Sequence, residues 1–182
     1  MMVTTHVAAG LLLAVSVATL TPNFAIPAAI GAIIGGILPD IDLFIGSHRR
    51  TLHFPVYYTA AGGVTGLITI TTPSVLTVGV SIGLLAAGIH SLSDWLGAGE
   101  ELRPWERTSQ RAVYIHSRRQ WLQPQYIIRY DGAPEDFALT IVLAAPAVIT
   151  FDGWLRGIVL AGIVIAGGYT ITRKYIPRWL DL

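Results

Sequence analysis

The chain has 182 residues, 53% of them hydrophobic and 13% charged, with a mean hydropathy of +0.60 and a formal net charge of +1. A soluble domain carries about 25% charged residues, so a water-soluble globule is excluded and an integral membrane protein is implied. No cysteine is present, which excludes disulfides and thiolate metal sites.

Six apolar segments follow in order, at 6–20, 24–38, 55–72, 75–91, 137–151 and 154–172. Several fall short of the roughly 20 residues of a full membrane span. The second and fifth are the weakest, and either could be a half-embedded hairpin. Pro22-Asn23, Thr72-Pro73-Ser74 and Asp152-Gly153 carry turn chemistry, which pairs the segments as helical hairpins. The expected fold is therefore all-α and polytopic: about six transmembrane helices in three hairpins, forming a single domain over 1–182. A polar interfacial loop at 92–136 interrupts it. Small residues such as Gly31, Gly35, Gly62 and Gly66 allow close helix packing. The Gly31/Gly35 spacing reads first as intramolecular packing, with a homo-oligomer face as the alternative.

With six spans, eleven of the twelve Lys and Arg fall on one side, and only Arg156 falls on the other. Basic residues mark cytoplasmic loops, so both termini and the 39–53 and 92–136 loops are expected in the cytoplasm, in a plasma or inner membrane. The 1–5 stretch lacks the positive charge of a signal peptide, so no cleavage is expected.

The 1–39 and 54–93 stretches contain no Asp, Glu, Lys or Arg. Yet His6, Asp40, Asp42, His48, His53, His90 and Asp94 stand at or beside the ends of these apolar segments, all on the cytoplasmic side of the topology that the arginines set. His90 and Asp94 lie one helical turn apart on one face. They can share a cation, or Asp94 can orient the imidazole. Asp40 and Asp42 follow Pro39 where a helix ends, and can converge in an extended turn. Taken singly, each residue reads better as an interfacial or hydrogen-bonded group. Together they favour a site, because clustered ionisable groups at membrane depth tend to be functional.

The set Gly36-Ile37-Leu38-Pro39-Asp40-Ile41-Asp42, His48-Arg49-Arg50-Thr51-Leu52-His53 and His90-Ser91-Leu92-Ser93-Asp94, preceded by His6, resembles the membrane-bound metal-dependent hydrolase family of YdjM type. The likeness covers about the first hundred residues. Glu101-Leu102-Arg103-Pro104-Trp105-Glu106 and the 130–136 stretch look similar to archaeal members. The resemblance implies a helical membrane fold and metal-dependent hydrolysis. The family pattern has Thr-His before the third segment, where this chain has Thr51-Leu52-His53, so His48 and His53 both stay open as ligands.

Imidazole and carboxylate without thiolate fit Zn, Mn or Fe, with Zn the first choice as a Lewis acid. The expected ligands are His6, Asp40, His53, His90 and Asp94. Asp42 or His48 serves as base or support, and Arg49 and Arg50 hold an anionic group of a phosphoester or ester substrate. In 92–136, arginines alternate with Trp105, Tyr114, Trp121, Tyr126 and Tyr130. Beside a membrane this pattern reads as an anchor to anionic lipid and not as a nucleic-acid surface. His116 is not expected to be a ligand, and Glu100, Glu101 and Glu106 are expected to pair with nearby arginines. Two rivals remain. One is a non-enzymatic membrane protein with a structural metal or proton-relay site. The other is a metal-independent lipid-phosphate phosphatase, whose Pro-Ser-Gly-His element is absent here.

Overall fold

A computed structural model describes residues 1–179. Its long helices are α1 (Val3–Leu20), α2 (Ala25–Ile37), α3 (Pro55–Thr71), α4 (Val75–Ser93), α5 (Pro134–Thr150) and α6 (Gly153–Thr172), followed by the short α7 (Ile176–Trp179). The long helices fall on the six apolar segments, with every end within three residues of the sequence reading. α5 begins earlier than expected because Pro134, Glu135 and Asp136 fill its first turn. Proline is favoured there, and carboxylates suit the positive end of the helix dipole.

Among the described residues, four stretches are long and apolar enough to cross a membrane: Val3–Leu20, Pro22–Leu43, Val75–Leu96 and Gly153–Thr172. The second segment, expected to be weak, gains its length from 3-10 turns at Pro22–Phe24 and Leu38–Leu43. The fifth segment, also expected to be weak, does stay short as α5, and so does α3, at 17 residues each, or about 26 Å at 1.5 Å per residue.

Glycine sets how close the helices come. A methyl group added at Gly31 or Gly35 of α2 would land on the Gly79 or Gly83 carbonyl of α4. The small-residue spacing is thus used within the chain, bringing the two backbones together. The core beneath is mostly alanine, with Leu11, Ile82, Phe151 and Leu155 filling it. α5 is tied to α1 by polar groups: Thr5 Oγ1 donates to Asp136 Oδ1 at 2.7 Å, and the Met2 and Gly132 amides donate to Asp136 Oδ2 at 2.8 and 3.1 Å. Such bonds are strong where water is excluded.

The polar stretch between α4 and α5 is more ordered than an interfacial loop. It holds a 3-10 turn at Pro104–Glu106 and a two-stranded antiparallel hairpin, β1 (Val113–Ile115) with β2 (Gln120–Leu122). Backbone bonds pin it down: Gln125, Tyr126 and Ile128 donate to the carbonyls of Trp95, Gly97 and Leu96, and Tyr114 donates to that of Arg49. The alternating basic and aromatic residues have an internal use. Arg50 lies 4.7 Å over Tyr114, Arg107 4.4 Å over Tyr126 and Arg111 5.6 Å over Trp121, as cation–π pairs. Arg173, just past α6, grips Asp131 at 2.8 and 3.0 Å.

Candidate metal centre

Three neighbouring stretches of chain bring the polar residues together. α4 supplies His90 near its end and Asp94 as its C-cap. The 3-10 turn Leu38–Leu43 supplies Asp40 and Asp42, and the following loop supplies His48, Arg49 and His53. Convergence of Asp40 and Asp42 needs an extended turn, but Pro39, whose fixed φ suits a first helical turn, continues the chain as a 3-10 helix. The two carboxylates therefore diverge, and His53 is held between them. Asp40 faces its Nε2 at 3.7 Å and Asp42 its Nδ1 at 2.9 Å.

One donor atom from each of Asp40, His53, His90 and Asp94 lies within 4.8 Å of the others. His53 Nε2 is 3.2 Å from Asp94 Oδ2, while His90 Nε2 is 3.3 Å from Asp40 Oδ1 and 3.7 Å from Asp94 Oδ2. His53, His90 and Asp94 are buried, and Asp40 keeps 18% of its side chain exposed.

Both imidazoles are oriented from behind. His90 Nδ1–H donates to the Gly36 carbonyl at 2.7 Å. A carbonyl only accepts, so Nδ1 carries the proton. His90 Nε2 is then left buried with no hydrogen-bond partner among the described residues, although two carboxylate oxygens stand near it. A lone pair facing two carboxylates is an arrangement that a cation resolves. His53 Nδ1 lies on Asp42, whose Oδ2 also accepts from the Leu52 amide at 3.2 Å. This carboxylate–histidine support is the kind that fixes metal-binding imidazoles. Burial opposes a charge on His53, but Asp42 and Asp94 at its two nitrogens outweigh it and raise its pKa to about 9. A divalent ion at Nε2 must displace the second ring proton that this environment favours. Two imidazoles and two carboxylates, with no thiolate, suit Zn, Mn or Fe.

The remaining expected residues surround these four. His6 stacks on His90 with ring centroids 3.7 Å apart. Its Nε2 reaches Asp94 Oδ1, not the oxygen facing the cluster, at 3.1 Å, and its Nδ1 pairs with Ser93 Oγ. The Met1 amino group also donates to Asp94 Oδ1. His48 holds Asp42 Oδ1 at 2.9 Å and is 24% exposed. Of the two histidines left open, the structure thus brings His53 to the cluster and His48 to its support. Arg49 is buried, donates to the Ala98 and Ala112 carbonyls, and has its Nε 3.8 Å from Asp94 Oδ2. Its φ of 59° is left-handed, a strained state for a non-glycine residue that surrounding contacts must hold. Arg50 leaves the site for Tyr114. His116 packs on Phe54 at 4.5 Å, and Glu100 and Glu106 pair with Arg111 and Arg103.

Sequence reasoning did not find the Gly36 carbonyl, Ser93, or the Ala98 and Tyr114 backbone groups that fix Arg49. Backbone partners leave no residue-type signal, although Gly36 does stand one turn before Asp40. A cleft of about 600 Å³ reaches the site at Asp40, Asp94, His48 and Arg49. No protein-family model, curated protein or solved structure matches this chain.

Proposed function

We propose that this chain is a membrane-embedded, metal-dependent hydrolase acting on a phosphoester or ester of lipid-like character at the cytoplasmic interface. It crosses the membrane six times as three hairpins, with both termini inside. The observation that carries the reading is the unpartnered Nε2 of His90, aimed at the carboxylates of Asp40 and Asp94 beside Nε2 of His53. Asp40, His53, His90 and Asp94 hold the ion, with Zn first and Mn or Fe as the other candidates. When bound, such an ion supplies Lewis acidity and a source of hydroxide near neutral pH.

The chain's own residues do the rest. Asp42 and the Gly36 carbonyl keep the two imidazoles turned inward. His48, oriented by Asp42 at the cleft, is placed to take a proton from the attacking water and return it to the leaving group. Arg49 compensates part of the buried negative charge, with its Nε 3.8 Å from Asp94 Oδ2.

A second reading, a purely structural ion, is favoured by the number of donors, because four protein ligands complete a tetrahedral site. Activity separates the two. Purified protein in phosphatidylcholine nanodiscs should hydrolyse at least one member of a panel of lipid phosphates and esters. A chelator should abolish this activity, and Zn, Mn or Fe should restore it. Asp40→Ala should reduce turnover by on the order of 100-fold or more, and His48→Ala by roughly 10²–10⁴-fold while sparing bound metal. Metal-loaded protein that is inert on every substrate would leave only the structural ion.

A further inference from the structure

The cluster is enclosed by protein on most sides. His53 and His90 are fully buried and Asp94 is 1% exposed, beneath a polar segment pinned by four backbone bonds. The groups of the site with the most exposed side chains are Asp40 and His48, at 18% and 24%, and both line the cleft. Followed outward, that cleft does not lead to polar surface alone. Ile37, Ile41 and Leu43 line it from the second candidate span and Ile165 from the last. Ile165 stands seven residues before the end of α6, about 10 Å along the helix. α6 turns most of itself outward, with only 17% of its span buried within the chain. The open path to the cluster therefore has apolar walls and reaches membrane depth. At the polar end the rim carries Glu100, Glu101 and Asp131, with Arg173 paired to Asp131.

We propose that this cleft seats one acyl chain of a membrane lipid, which reaches the site sideways from the bilayer while its head group lies at Asp40 and His48. The occupant follows from the two ends of the cleft. Its inner end is ionic and its outer walls are aliphatic, and about 600 Å³ falls in the range of small-ligand sites. Head-group placement rests on the metal-centre reading, whereas the acyl seat rests on the apolar walls.

The test uses the whole protein in phosphatidylcholine vesicles that contain phosphatidic acid with a diazirine at the end of one acyl chain. After illumination, adducts are mapped by mass spectrometry and bound metal is measured on the same samples. Adducts at Ile37, Ile41, Leu43 and Ile165 should exceed those at Leu67 and Ile149, exposed apolar residues on α3 and α5, by about five-fold, as a seat enclosing its ligand requires. Ile41→Trp and Ile165→Trp should each remove that excess while leaving bound metal unchanged. Ile165 is 64% exposed, so its replacement keeps the test valid if Ile41→Trp disturbs folding. Adducts spread evenly over the lipid-facing helices, or an excess that survives both tryptophans, would overturn the seat. Cleft adducts on a protein that binds no metal would leave the seat standing and remove the metal centre.

Discussion

His90 shows how one side chain links sequence to chemistry. Its spacing from Asp94 was readable in the sequence, since i and i+4 share a helix face. Its orientation was not, because the group that turns it is the backbone carbonyl of Gly36. Asp42 presents the reverse case. As a residue type it read as a base or support, and the structure places it between His48 and His53, on a nitrogen of each. Asp42→Asn keeps the size of the side chain but removes its charge and one acceptor. It should weaken metal binding by about 10–100-fold, the usual cost of losing a carboxylate behind a metal-binding imidazole, as read by competition with a chromophoric chelator. Unchanged affinity would mean that Asp42 does not position His53. Arg49 and Arg50 looked equivalent as neighbours. They differ because Arg49 takes a left-handed backbone and turns inward to carbonyls, whereas Arg50 stacks on Tyr114.

At the scale of elements, hydropathy located all six long helices, because apolar length is the main signal of a membrane segment. It anticipated the short α5 but not the short α3 or the long second segment. The 3-10 turns flanking α2 extend it to a possible span, and a turn of that kind leaves little trace in hydropathy. The same turn separates Asp40 from Asp42. The α2–α4 contact fixes the site's depth, since α4 carries His90 and α2 ends at the carbonyl that holds it. Gly35→Ala would push a methyl group into the Gly83 carbonyl. It should destabilise the protein by about 1–3 kcal/mol, as overpacking does, and lower metal occupancy with it. Gly63→Ala on α3 meets nothing within 4 Å and should be neutral or stabilising by up to about 1 kcal/mol. Thermal unfolding in detergent compares the two, and equal midpoints would refute the close α2–α4 packing.

For the whole molecule, the proposed six-span topology sets the arginines and the candidate ligands on the same face. The polar segment between α4 and α5 was readable as basic and aromatic, but not as a folded cover, because its hairpin strands are three residues each. The absence of cysteine makes sidedness measurable. In right-side-out vesicles, an impermeant maleimide should label Thr72→Cys but not Thr108→Cys, and inverted vesicles should reverse the pattern. Labelling of both from one side would refute the three-hairpin topology. Anomalous scattering at the metal edge, from crystals of the purified protein, decides whether an ion sits at Asp40, His53, His90 and Asp94. A single strong peak is expected among these four side chains, absent in His90→Ala. No peak there, from protein prepared with Zn, Mn and Fe, would contradict the metal centre.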